Sequence, residues 1–278
     1  MARQQVICIT GCSSGIGHAL AERLAAAGAI VYAGVRDEAR APPLAHARSL
    51  QLDVTRPEQI ASAIARIERE AGSIDVLINN AAANAIGPWE LTPAEVIERI
   101  FAVNFFGVVN VTRAVLPLMR RRRSGRIVLI SSLSALIPLP LTGAYSASKA
   151  ALEAFGETLS YEVRPWNIQV SLLNPGGYAS GLDSKSWRPM RENLGDYSPL
   201  EQQLRTPARG SAGSSEDAAE RIIAAINDRS GRLRQPLDDT GRWVFRSLRL
   251  DEDIESARDS IVRKVSGLEW WFDPAKAP

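Results

Sequence analysis

The apolar run Val6-Ile7-Cys8-Ile9 breaks directly into a glycine-rich segment, Thr10-Gly11-Cys12-Ser13-Ser14-Gly15-Ile16-Gly17. No other feature restricts the fold so tightly. Residues 16–27 follow with helical periodicity, carrying Ala19, Leu20, Leu24 and Ala27. Strand, glycine turn and helix in that order form the setting that a dinucleotide fingerprint requires. Glycines let the backbone turn sharply and approach a pyrophosphate with no Cβ in the way. The helix N-terminus then offers unpaired N–H groups and the positive end of its dipole to the phosphates. The spacing is Gly-x3-Gly-x-Gly rather than the commoner Gly-x-Gly-x2-Gly. Alone, such a turn also serves as an ordinary tight loop.

The rest of the chain alternates strand and helix. Apolar runs predict further strands at 30–35, 49–52, 75–78, 127–130 and 169–173. Helical patterns separate them, at 57–70 with Pro57 and Glu58 in the first turn, at 108–119 and at 145–163. This predicts an α/β fold, a doubly wound parallel sheet of the Rossmann type in a single domain. Ligands of such sheets bind beyond the carboxyl ends of the strands. Gly11, Arg36, Asp53, Asn79, Ser132 and Pro175 all fall at or just after predicted strand ends, so they should meet along one edge.

Tyr145 and Lys149 stand four residues apart in Ala144-Tyr145-Ser146-Ala147-Ser148-Lys149, on one face of a predicted helix. A cation there would lower the proton affinity of the phenol. Ser132, thirteen residues upstream of Tyr145, ends an apolar run and can approach the same small reacting group. The arrangement suits proton transfer to or from an oxygen. A Tyr and a Lys at this spacing also occur on any solvated helix face.

Taken together, the glycine segment and the Ser132, Tyr145 and Lys149 set resemble the classical short-chain dehydrogenase/reductase family, over roughly residues 3–235. The resemblance implies a cofactor loop at Thr10, Gly11, Ser13, Ser14, Gly15, Ile16 and Gly17. It also implies adenine contacts from Asp53 and Val54, and a strand-closing segment at Asn79, Asn80 and Ala81. Asn104 matches the helix asparagine of the catalytic group. Pro175 and Gly176, with Ser180 where a threonine is usual, match the turn beside the nicotinamide. Ala82 departs from the family's usual glycine, a change suited to tuning cofactor packing rather than abolishing activity. Segments 10–17 and 32–37 look like the branch that includes 17β-hydroxysteroid and retinol dehydrogenases.

The implied activity is hydride transfer between a nicotinamide and a ketone or secondary alcohol, with Tyr145 as general acid/base. A free phenol has a pKa near 10, so Lys149 and the cationic oxidised nicotinamide are together expected to favour tyrosinate, and the resemblance implies that Lys149 also binds the nicotinamide ribose. Ser132 is expected to hold the substrate oxygen, and Asn104 to position a water linking Lys149 to solvent. At the end of the second strand stand Val35 and Arg36, not an acidic residue. A guanidinium suits a 2′-phosphate by charge-assisted contact, so NADP(H) is preferred and NAD(H) remains an alternative cofactor. Asp37 can instead pair with Arg36 or contact a 2′-hydroxyl. Two other functions compete: a non-catalytic dinucleotide-binding regulatory protein, and a nucleotide-sugar epimerase or dehydratase, whose larger substrate domain 278 residues hardly allow.

Apolar residues at 133–141 form a lip beside the reacting oxygen, which suits a lipophilic substrate or plain core packing. Residues 176–215 read as an irregular substrate loop, with Tyr178, Trp187 and Tyr197 lining a lid or packing it down. His18 and His46 are not needed as acid or base. Residues 1–235 would form the main unit and 236–278 its C-terminal extension, with an edge strand at 233–237, a charged helix at 251–265 and an aromatic cluster at 268–272.

A net charge of +2 gives no reason to expect nucleic acid, and Arg120 to Arg123 complement a helix C-terminus. No apolar run reaches the roughly 20 residues of a membrane span. The first strand begins almost at once, so no secretory leader is expected. Cys8 and Cys12 make no disulfide framework, and with two histidines no metal site is expected. A cytoplasmic setting follows. Family members usually assemble through their long helices, here 105–119 and 145–163, so a homodimer or homotetramer is expected.

Overall fold

The computed structural model describes residues 4–39, 41–205, 213–228 and 230–248. Strands β1 (Val6–Thr10), β2 (Ile30–Val35), β3 (Arg48–Gln51), β4 (Val76–Asn79), β5 (Gly125–Ile130) and β6 (Ile168–Asn174) lie in one sheet. Two short strands, β7 (Tyr178–Ala179) and β8 (Gly213–Ser214), pair separately, and β9 (Arg234–Pro236) closes the main sheet. The order is β3-β2-β1-β4-β5-β6-β9, and every pairing in it is parallel. The chain starts in the middle and winds outward, then crosses over to β4. This reversal between β1 and β4 opens a crevice at their carboxyl ends.

Both faces of the sheet are covered, which explains why its strands read as continuous apolar runs. Alternate residues serve opposite layers. Ile7 and Ile9 pack with Leu20 and Leu24 of α1 (Gly15–Ala26) and with Ile222 and Ile226 of α7 (Ser215–Asn227). Val6 and Cys8 face the other layer. There α2 (Pro57–Ala71) supplies Ile60, Ile64 and Ile67, and two longer helices supply Val111, Val115, Leu152 and Leu159.

The first of those longer helices differs from expectation. Residues 94–122 form one continuous helical unit: α3 (Ala94–Phe101), a π-helical stretch (Ala102–Gly107) and α4 (Val108–Arg122). By length and composition this unit is apolar enough to cross a bilayer. In the fold it lies against the sheet, with Val108, Val111, Val115 and Met119 buried. Its last turn carries the arginines, of which Arg121 pairs with Glu68 and Arg122 with Asp75. The second is α5 (Gly143–Glu162), close to the predicted span.

At the far edge β9 pairs with β6, where Pro236 is tolerated. Leu237 is buried, and α8 (Asp239–Ser247) packs Val244 and Phe245 against Leu133. What is described beyond residue 235 is therefore part of the same packed unit. The expected helix at 251–265 and the cluster at 268–272 lie outside the described residues.

Candidate active site

The glycine turn is stitched to the end of β4. Thr10 Oγ1 accepts from the main-chain N–H groups of Asn80 and Ala81, both at 3.0 Å. Asn80 Nδ2 donates to the carbonyls of Thr10 at 3.0 Å and Gly11 at 3.1 Å. Gly11 has φ +74°, a conformation open to glycine. A Cβ on Gly17 would stand 2.3 Å from the Gly11 oxygen and 2.4 Å from Asn80 Nδ2. Ser14 stands at the N-cap of α1 with no side-chain cap bond, so the first-turn N–H groups stay open to an anion. Close backbone, missing side chains and an open helix start fit a pyrophosphate.

The expected contacts downstream lie around this turn. Ser180 presents its carbonyl to Gly15, 2.3 Å from where a Cβ would be. Pro175 O accepts from Leu133 N at 3.2 Å, and Gly176 N donates to Asp238 Oδ2 at 2.9 Å. Asp238 also caps α8, so the C-terminal segment supports the turn expected beside the nicotinamide. Asp53 Oδ1 accepts from Thr55, and Val54 is buried against Gly107. Arg36 is exposed at the end of β2, with no hydrogen bond or ion pair to another described residue. Ile16 and Ser13 are half-buried in the loop.

Ser132, Tyr145 and Lys149 converge at the carboxyl end of β5. Ser132 caps a short helical turn, Leu133–Ala135, its Oγ accepting from Ser134 N at 3.1 Å. The Ser132 hydroxyl lies near enough to the Tyr145 phenol to favour its charged form. Lys149 Nζ donates to the Ile130 carbonyl at 2.7 Å and stands 5.7 Å from the Tyr145 ring centroid. An oxygen lodged between Ser132 and Tyr145 could receive or surrender a proton.

Electrostatics here show what the chain's own groups contribute to the acidity of the phenol. Burial pushes the Tyr145 phenol up to about 12; the Ser132 hydroxyl opposes this and the charge of Asp183 adds to it. Burial also brings Lys149 down to about 8, against the pull of Glu153. The protein alone therefore does not acidify the phenol. Desolvation is the largest effect on the phenol, and the Lys149 ammonium is held by the Ile130 carbonyl.

Asn104 is fully buried within the π-helical stretch. Its Oδ1 accepts from Ala83 N at 2.8 Å, and its Nδ2 donates to Ala83 O and Ser148 Oγ, each at 2.9 Å. Both side-chain donors are thus committed to clamping residues 83 and 148. That amide therefore keeps no donor for a water beside Lys149.

Several site neighbours escaped the sequence reading. Asn174 Nδ2 donates to Glu153 Oε1 at 2.7 Å and lies 3.4 Å from the Ser132 carbonyl. Arg234 pairs with Glu153 at 2.9 Å and with Glu157 at 2.6 Å. Lys185 Nζ donates to Ser14 Oγ at 2.7 Å, bridging the loop after β6 to the glycine turn. Trp187 is main-chain paired with Asn84 and Ile86, so the segment around it is fastened to the domain. These contacts span large sequence separations, and no local pattern signals them.

The family model for short chain dehydrogenase matches residues 5–191. A curated relative, 3-ketodihydrosphingosine reductase of Bacteroides thetaiotaomicron, is 40% identical over 69% of this chain and 71% of its own. Estradiol 17-beta-dehydrogenase 2 of Mus musculus is 35% identical over 70% of this chain, but the match spans only 54% of the mouse protein. Among solved structures, a short chain dehydrogenase of Burkholderia cenocepacia in complex with NADP superposes with a TM-score of 0.74 at 27% identity, covering 92% of this chain and 97% of its own. The parallel sheet, the glycine turn opening α1 and these matches lead to one conclusion: the chain belongs to the short chain dehydrogenase family.

Proposed function

We propose that the protein transfers a hydride between NADP(H) and a lipophilic ketone or its secondary alcohol. The observation that carries this reading is the meeting of Ser132, Tyr145 and Lys149 at the end of β5, two strands from the glycine turn. When bound, the nicotinamide supplies or accepts the hydride. The chain's own residues do the rest. Ser132 orients the carbonyl oxygen, and Tyr145 gives it a proton during reduction and removes one during oxidation, which typically contributes about 10²–10⁴-fold. Lys149 keeps two N–H groups for a ligand beyond its bond to Ile130, suited to ribose hydroxyls. An oxidised, cationic nicotinamide nearby would offset the desolvation that now holds the phenol neutral.

The choice of NADP(H) rests on exposed Arg36 at the end of β2, and the NADP complex of the Burkholderia relative supports it. A lipophilic substrate is favoured by exposed Leu139, whereas Leu133, Leu136 and Ile137 of the expected lip pack on Val244 and Phe245. Relatives named for 3-ketodihydrosphingosine and estradiol agree. We also infer a homodimer or homotetramer through α4 and α5, where a groove of about 450 Å³ runs between Leu116, Pro117, Leu159, Val163 and Trp166. The free, buried thiols of Cys8 and Cys12 favour a reducing, cytoplasmic setting. The test is NADPH oxidation over a panel of steroid, retinoid, aryl and alkyl ketones. Tyr145→Phe should still bind NADPH and lose nearly all turnover; a variant that keeps turning over would refute the assignment.

A further inference from the structure

One cation reaches the glycine turn from a distant part of the chain. Lys185 Nζ donates to Ser14 Oγ at 2.7 Å, across 171 residues of sequence. Ser14 is the N-cap of α1, its side chain caps nothing, and the first turn of that helix holds no acidic residue. A helix dipole makes this end positive, so an ammonium placed beside it is repelled. Lys185 is exposed and could turn towards water instead. An exposed hydrogen bond to a neutral hydroxyl offsets little of that repulsion. Among the described residues no carboxylate pairs with Lys185. Even Asp183, two residues earlier, accepts from Asn84 Nδ2 at 3.2 Å. Two positive features thus share one place without the anion that would reconcile them.

Main chain on both sides fixes where Lys185 stands. Before it, the Ser180 carbonyl presses on the glycine turn, 2.3 Å from where a Cβ on Gly15 would be. After it, Trp187 N donates to Asn84 O at 3.1 Å, and Ile86 N donates to Trp187 O at 2.9 Å. The lysine ends the short turn Asp183–Lys185 between these two anchors. We propose that Lys185 binds a phosphate of the dinucleotide. This rests on the dinucleotide-binding role of the glycine turn, and it adds a ligand from the segment after β6.

The chemistry selects the ligand group. Residues 10–17 hold no charged side chain, so the turn by itself offers a phosphate only N–H and hydroxyl donors. An ammonium has three donors, and with one on Ser14 two remain. Ser14 Oγ accepts that bond, which leaves its own hydroxyl hydrogen for the same phosphate oxygen. A phosphate answers both positive features at once, the helix start and the lysine. A neutral substrate group answers neither. Two parts of the ligand carry this chemistry: the pyrophosphate, common to NAD(H) and NADP(H), and the 2′-phosphate of NADP(H) alone.

The test is fluorescence titration of the full chain with NADPH and with NADH, at low and at high KCl, comparing wild type with Lys185→Met and Lys185→Arg. Lys185→Met should weaken binding by about tenfold or more at low salt, as for one charge-assisted hydrogen bond. Lys185→Arg should recover a large part of that loss. The wild-type advantage should shrink at high salt, because an exposed charge contact is screened. A loss shared by NADH and NADPH assigns the lysine to the pyrophosphate, and a loss confined to NADPH assigns it to the 2′-phosphate. Unchanged affinity for both dinucleotides overturns the proposal. So does a loss that salt leaves unaltered, which would mark a packing role. Wild type that binds neither dinucleotide overturns the cofactor reading and this inference together, whereas binding without turnover removes the hydride-transfer step alone.

Discussion

Lys149 donates from Nζ to the main-chain oxygen of Ile130 at 2.7 Å, tying the catalytic helix to the last residue of β5. Burial lowers this ammonium from its ordinary 10.5 to about 8. Between those values this side chain binds more protons in the unfolded than in the folded chain. Its own contribution to stability therefore rises with pH over that interval, while the raised thiols of Cys8 and Cys12 contribute the opposite slope. The gain is on the order of 3 kcal/mol at most. Lys149→Met should abolish it. Urea denaturation at pH 7 and pH 10 without dinucleotide measures the difference, and an unchanged pH slope in the variant would contradict the burial argument.

Gly17 is the glycine the turn can least spare. Any Cβ there meets the Gly11 carbonyl and the Asn80 amide, the two groups that hold the loop to β4. Gly17→Ala should therefore weaken NADPH binding by more than about tenfold and cost about 1–3 kcal/mol, as expected for overpacking. Fluorescence titration and thermal melting measure the two losses. Gly28→Ala is the control for backbone effects: its φ is +93° but a Cβ meets nothing within 4 Å. It should lose stability while keeping dinucleotide affinity.

The sheet was legible because its strands are buried on both sides, so each appears as an unbroken apolar run. β2 falls where periodicity placed it, and the other strands shift by a residue or two. The unit at 94–122 was only half visible. Its π-helical stretch inserts an extra residue, so apolar positions before and after Asn104 do not share one 3.6-residue frame. Tyr145 and Lys149 were readable because they share one face of α5, whereas Ser132 needed the family register to select it among neighbouring serines. Asn84 and Asp183 are 99 residues apart and Arg234 and Glu153 are 81 apart, so only the folded chain brings them together.

Arg36 stands exposed where β2 ends, with no described partner to neutralise it. A guanidinium–phosphate hydrogen bond contributes about 1.5–3 kcal/mol, roughly a factor of ten to one hundred in efficiency. Arg36→Ala should lower kcat/KM with NADPH by that factor and cost far less with NADH. Steady-state rates with both dinucleotides decide it. Equal losses with the two would leave Arg36 no part in choosing between them.

The final prediction concerns the charge pair beneath the catalytic helix. Arg234 on β9 donates from Nε to Glu153 Oε2 at 2.9 Å, and Asn174 donates to the other oxygen at 2.7 Å. Glu153 lies one helical turn beyond Lys149 and raises its proton affinity, so this carboxylate helps keep the lysine charged. Both partners of the pair are buried. Removing one partner of such a pair leaves an uncompensated charge and typically costs about 3–5 kcal/mol, whereas removing both costs much less. Arg234→Met should therefore be strongly destabilised, and adding Glu153→Gln should recover a large part of the loss. The two substitutions should shift the Lys149 titration in opposite directions, because one strips the counter-charge from Glu153 and the other removes Glu153's own charge. Denaturation of the single and double variants, with NMR titration of isotopically labelled lysine, tests both statements; shifts in the same direction would show that the pair does not tune the site.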